Sequence, residues 1–212
     1  MKVLPLILIF MMNHAQALCL EHDTFGELPN EVEVHGAEQV TREFHLSVQN
    51  HLPYQTELLI KLDPHSPRMN AEINKSGNKA IIQVLGGMLK HPHMSPDVLR
   101  LLLCHELGHL LGGAPLKSRN GWSSTEGQAD YYSGFFCAKT LGMTETTFLD
   151  AALNLATIYA EVAREPGPKI NSCDERVVER TNFGYPSVQC RLDTMIAGWN
   201  HLERPRCWFG DL

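Results

Sequence analysis

Apolar positions recur along this chain with two different periods, and the change from one to the other divides it into a strand-rich first part and a helical remainder. Leu18 to Gln39 shows neither period; with Gly26, Pro29, Asn30 and Gly36 it reads as an irregular lead-in. Phe44-His45-Leu46-Ser47-Val48 alternates and predicts a strand, broken by His51-Leu52-Pro53. Leu58 to Leu62 predicts a short strand closed by Asp63-Pro64 and Ser66-Pro67. Met69 to Ile73 and Ala80 to Leu85 predict a β-hairpin around the Gly-containing loop 74–79, ended by Gly86-Gly87. Met88 to Lys90 reads as a helical turn and His91-Pro92-His93 as a connector; two loop histidines flanking a proline are too loose a pattern to imply a metal.

From Ser95 onward the period becomes helical. Ser95 is a natural N-cap, Pro96 suits the first helical position and Asp97 the first turn; the helix runs to Gly112-Gly113. After the loop Ala114 to Gly121, a second helix is predicted from Glu126 to Leu141, behind the caps offered by Ser123, Ser124 and Thr125 and before Gly142. Thr144 caps a third, Glu145 to Arg164, whose Phe148, Ala151, Ala152, Leu155, Ile158, Tyr159 and Val162 form one apolar face. Pro166-Gly167-Pro168 stops it. Lys169 to Gly184 is irregular, Ser187 opens a last helix to about Leu202, and the tail from Glu203 has no period.

The first of these helices carries His105-Glu106-Leu107-Gly108-His109. Residues four apart share a helix face, so both imidazoles can address one zinc ion, with Glu106 beside a water on it. A catalytic zinc keeps three protein ligands and an open position. Glu126, at the start of the next helix, is the candidate third ligand, because an antiparallel return brings it to the histidine face. Asp130, one turn further, can accept the outer N–H of a ligand imidazole. Read alone, Glu126 and Asp130 would be ordinary first-turn acids that favour the helix dipole; next to the histidine motif they read as ligand and support.

Composition narrows the setting. Lys2, the apolar run Val3 to Met12 and Ala15-Gln16-Ala17 read as a secretory signal over residues 1–17, leaving 18–212 as one domain. No later stretch predicts a transmembrane anchor; Leu149 to Val162 comes nearest and is interrupted by Asn154, Thr157 and Glu161. The formal net charge of −6 argues against nucleic acid and against an anionic membrane as partner. Six cysteines in an exported chain predict intramolecular disulfides, of unspecified pairing; Cys104, although beside His105, reads as a disulfide partner or buried thiol rather than a ligand.

The chain resembles the gluzincin zinc metallopeptidases, and within them the CAAX-prenyl-protease-type endopeptidases and their soluble exported relatives. The resemblance runs from Asn70 to about Arg191: Asn70-Ala71 before the hairpin, Ile81-Ile82 with Gly87-Met88-Leu89, Ser95 to Leu99, His105 to His109, Glu126-x-x-Ala129-Asp130, and Tyr185-Pro186 followed by Arg191. Tyr185 stands where that family has a late histidine. The resemblance implies an α+β, gluzincin-like single domain with a small antiparallel sheet, a zinc helix and a glutamate helix. It also implies one catalytic Zn2+, a protein or peptide substrate, and Glu106 as general base. Tyr185 becomes a candidate donor to the oxyanion, a core tyrosine being the plainer alternative. Arg191 would orient Tyr185 or a carboxylate near the zinc, or else form a surface salt bridge. Asn70 and the strand Ala80, Ile81, Ile82, Gln83, Val84 and Leu85 would bind substrate, that strand acting as the edge along which an extended peptide lies. The expectation is an exported metalloendopeptidase, periplasmic or extracellular. Its rivals are a zinc-binding but inactive interaction or inhibitor module, and a disulfide-stapled structural domain with a fortuitous motif.

Overall fold

A computed structural model describes residues 34–211 as a mixed α+β fold. The leader expected over residues 1–17 and most of the lead-in lie outside the described residues. The described residues open with α1 (Val34–Val48) and continue through β1 (Glu57–Asp63), β2 (Ala71–Ser76) and β3 (Lys79–Leu85) to the single turn α2 (Gly86–Leu89). Then come α3 (Pro96–Leu111), α4 (Glu126–Tyr132), a π-helical turn Ser133–Cys137, α5 (Ala138–Thr140), α6 (Glu145–Ala163) and α7 (Val188–Trp199). No helix among the described residues is long and apolar enough to cross a membrane.

The stretch Phe44 to Val48, expected as a strand, is the end of α1. Ala37, Val40, Phe44 and Val48 are buried at helical spacing, whereas Leu46, the middle member of the apparent alternation, is 58% exposed. Five residues are too few to separate the two periods, and packing against α3 decides for the helix.

The sheet is mixed rather than antiparallel, in the order β1-β3-β2. The hairpin is as expected: β2 and β3 pair antiparallel, Ile73 opposite Ile82, across the Gly77-Asn78 turn. The departure is β1, which lies parallel to β3 with Ile60 opposite Ile82. Residues 64–70 carry the chain from β1 past the end of β3 to reach β2. There the Gly86 and Gly87 backbone runs so close to this link that a Cβ at either would stand 2.5 Å from a carbonyl oxygen, of Pro64 or Pro67 respectively. One consequence is a correction to the substrate strand: β3, from Ala80 to Leu85, is the central strand, paired on both edges, and β2 is an edge.

α3 runs through the middle, touching α1, α4, α6 and the sheet, and its residues are buried from Leu101 to His109. The Ser95 Oγ accepts the Val98 N–H at 3.2 Å, the cap the sequence predicts. The expected helix Glu126 to Leu141 is broken by the π-helical turn, from which Cys137 reaches back to Cys104 in a disulfide. α6 buries Phe148, Ala151, Ala152, Leu155 and Ile158 as its pattern predicts, but Val162 is exposed and Tyr159 half-buried, because its last turns leave the core to border a cleft. α7, capped by Ser187 Oγ on Cys190 N, ends at Trp199, short of the predicted Leu202. A second disulfide, Cys190–Cys207, ties it to the tail, where Trp208 is fully buried against both sulfur-bearing residues.

The approach of α4 to α3 is the contact that matters for the site. An added Cβ at Gly108 would stand 2.7 Å from the Ala129 carbonyl oxygen and 2.9 Å from its Cα, both unyielding backbone atoms. In an ordinary helix interior Gly→Ala stabilises by about 0.5–1 kcal/mol. Here the sign reverses: Gly108→Ala is expected to destabilise by about 1–3 kcal/mol, as overpacking does. Urea unfolding measures this, and an unchanged or raised midpoint would show that the two helices are not in contact at this point.

Candidate metal centre

One turn of α3 separates His105 from His109, and their rings meet edge to face with centroids 4.8 Å apart. Thr125 caps α4, its Oγ1 accepting the Gln128 N–H at 3.4 Å, which sets Glu126 as the first helical residue facing the two histidines. Glu126 Oε2 lies 3.3 Å from His105 Nε2, and Oε1 lies 3.5 Å from His109 Nε2. An ion bonded at about 2.0–2.1 Å to tetrahedrally arranged donors holds those donors about 3.3–3.4 Å apart. The two imidazole nitrogens and the carboxylate oxygen, all within 4.8 Å of one another and buried, could therefore hold a metal ion, and the N,N,O donor set suits zinc. The other cluster with this look, Asp174 with Cys190 and Cys207, has both sulfurs committed to a disulfide.

The surroundings orient the donors. The His109 Nδ1–H donates to the Ser124 carbonyl at 2.8 Å, which leaves Nε2 bare towards Glu126. Asp130 Oδ1 stands 2.8 Å from His105 Nδ1, off the line of the ring N–H. Asp130 is wholly buried and is gripped by Arg191, whose Nε donates to Oδ2 at 2.8 Å and whose Nη2 donates to Oδ1 at 3.0 Å. Arg191 is itself 5% exposed, so its contact with the buried Asp130 carboxylate is not a surface salt bridge. Its guanidinium lies 3.9 Å over the Tyr159 ring and 3.6 Å from Glu126 Oε2.

Glu106 is buried and, with the three donors, Tyr159 and Arg191, lines a cleft of about 470 Å³. Asn70 and the first residues of β2, Ala71 to Ile73, line the same cleft, and Tyr185 lies on its rim, 75% exposed. The strand Ala80 to Leu85 contributes nothing to the lining: Ala80, Ile82 and Val84 are core, and the remaining backbone is committed to β1 and β2. His91 and His93 fasten their loop to α6, through Glu161 and Asn154 at 2.9 Å each, as a connector would.

Three contributors escaped the sequence reading. The Ser124 carbonyl is a backbone group and leaves no residue signature. Lys117, read as part of a plain loop, places Nζ 2.7 Å from Glu126 Oε1. Tyr159 belongs to an otherwise apolar helix face; its Oη is buried without a hydrogen-bond partner at the wall of the cleft. The polar Oη on an otherwise apolar face was the available signal.

The electrostatics follow from burial and crowding. Burial works against a charged imidazole at His105, but the charge and contact of Asp130 and a further contact from Glu126 override it and push the pKa up to about 9. Burial, then the charge on His105, push His109 down to about 4. Burial pushes Glu106 up to about 7, partly opposed by His105. Burial also favours the neutral form of Glu126, yet contact with His105 and the charges of His105, Arg191 and His109 hold its carboxyl well below the usual range.

Comparison with protein-family models, with curated proteins and with solved structures returned no match for this chain.

A metal taking this site must displace the proton that His105 holds below about pH 9, while His109 is already neutral above about pH 4. Zinc binding near neutral pH is therefore expected to release about one proton per ion, and apparent affinity to rise about tenfold per pH unit until the His105 pKa is passed. Calorimetric titration in buffers of different ionisation enthalpy counts that proton; uptake with no proton released would contradict the arrangement.

Proposed function

We propose that this chain is an exported zinc-dependent metalloendopeptidase of gluzincin type. The observation that carries the reading is the approach of the Glu126 carboxylate oxygens to His105 Nε2 and His109 Nε2, at 3.3 and 3.5 Å, in a cleft that also holds the Glu106 carboxyl. The disulfides Cys104–Cys137 and Cys190–Cys207 favour an oxidising compartment, periplasmic or extracellular, and agree with the leader read from residues 1–17.

Zinc bound by His105, His109 and Glu126 would polarise a scissile carbonyl and make a water acidic enough to attack it near neutral pH. Glu106 takes the proton from the attacking water and delivers it to the leaving nitrogen. A carboxyl pushed up to about 7 is suited to both transfers. Asp130, held by Arg191, keeps the His105 ring oriented, and the Ser124 carbonyl does the same for His109. Tyr185, on the rim of the cleft, is the donor assigned to the oxyanion. An extended peptide can pair along β2 from Asn70-Ala71, which lines the cleft. Pairing through backbone groups accepts many sequences and leaves selectivity to side-chain pockets.

The alternative of a zinc-binding, inactive interaction module retains the ligands but has no use for a buried general base. Glu106→Gln separates the two. Zinc content is expected to stay at the wild-type level while cleavage of an unfolded protein substrate falls by about 10²–10⁴. A chelator should abolish the wild-type activity and zinc restore it. Wild-type protein that holds zinc yet cleaves nothing across a proteome-wide peptide profile, or a Glu106→Gln variant that cleaves as well as wild type, would refute the peptidase reading.

A further inference from the structure

On the far side of α4 from the metal cleft lies a second cavity, of about 690 Å³, that shares no lining residue with the first. Its size is that of a small-ligand or peptide-residue pocket. The walls are aromatic: Tyr131 from α4, Phe135 and Phe136 from the π-helical turn, and Phe209 from the tail. Phe135 is 42% exposed, and Tyr131 stacks on it at 5.6 Å.

Two of the polar side chains in this lining each keep one buried atom without a partner. Arg204 spreads its guanidinium over Tyr131 and Phe209, 5.4 and 4.8 Å from their ring centroids, and its Nε is buried with no acceptor. Gln128, 3% exposed, donates its Nε2–H to the Gly112 carbonyl at 2.7 Å, which turns Oε1 into a buried acceptor with no donor. Native interiors seldom leave such atoms unsatisfied. Arg206 and Glu203 also line the cavity, so its charged residues sum to one positive charge in a chain of net charge −6.

A complementary occupant needs an anionic acceptor for Arg204, an N–H donor for Gln128 and a flat apolar group for the rings. In a polypeptide these three features meet on one residue at one place: a C-terminal aromatic residue carries its amide N–H, its α-carboxylate and its ring on the same Cα. We propose that this cavity is a binding site for the C-terminal aromatic residue of a polypeptide, distinct from the metal cleft.

The test is calorimetric binding of acetyl-Gly-Gly-Phe to the whole protein carrying Glu106→Gln, which keeps the probe intact whatever the cleft does. Saturable binding of the free acid is expected. Its C-terminal amide, and acetyl-Gly-Gly-Ala, should bind about tenfold or more weakly, the loss that a missing charged hydrogen bond or a lost ring contact brings. Arg204→Met should weaken the free acid to the same degree. Phe135→Ala, which alters an exposed ring and no core residue, is the second variant and should weaken it as well. Equal binding of acid and amide, no saturable binding at millimolar probe, or affinity unchanged in both variants would overturn the proposal. None of these outcomes depends on whether the metal cleft cleaves peptides.

Discussion

Charge that is taken out of water must be matched, and this requirement shapes the centre of the molecule. Glu106, Glu126 and Asp130 are all buried within one crossing of two helices. Against these three carboxyl groups stand Arg191, also buried, and Lys117, whose ammonium reaches Glu126 from the surface. Two cations leave one negative charge over. A proton on His105, whose pKa is pushed up to about 9, meets the excess at neutral pH. A buried group that holds a proton to balance its charge, with its donor atoms all within 4.8 Å of one another, could hold a cation in that proton's place.

The scaffold keeps these groups from relaxing apart. α3 is buried nearly all round, so the helix that carries both imidazoles has little freedom to slide or turn. The Cys104–Cys137 disulfide begins at the residue next to His105 and anchors α3 to the turn that follows α4. Gly108 lets the two helix backbones touch, which sets the distance that Glu126 must span. Arg191 adds a third element: from α7 it holds Asp130 by two hydrogen bonds and rests on Tyr159 of α6. Four helices therefore meet at one cluster of charges, and displacement of any one of them would leave a buried ion without its partner.

Much of this was legible in the sequence because it depends on local rules. The Ser95-Pro96 start, the i,i+4 histidines and the i,i+4 step from Glu126 to Asp130 all follow from helix geometry, and the structure brings those side chains together. What could not be read belongs to levels that carry no local pattern. The Ser124 carbonyl is main chain. Lys117 acts through the path of a loop. The place of β3 in the middle of the sheet depends on how residues 64–70 cross its end, and two edge-paired strands and one central strand share the same short apolar signature. Phe44-Leu46-Val48 is ambiguous because alternation over five residues also fits the end of a helical face, and the burial of Ala37 and Val40 upstream decides it.

The central claim is that two imidazoles and one carboxylate, and no sulfur, define this centre. X-ray absorption at the zinc edge of the purified, zinc-loaded protein tests it most directly. One stoichiometric ion is expected, with nitrogen and oxygen neighbours at about 2.0–2.1 Å and the multiple-scattering signature of two imidazoles. A sulfur neighbour at about 2.3 Å, fewer than two imidazoles, or no stoichiometric metal would contradict it.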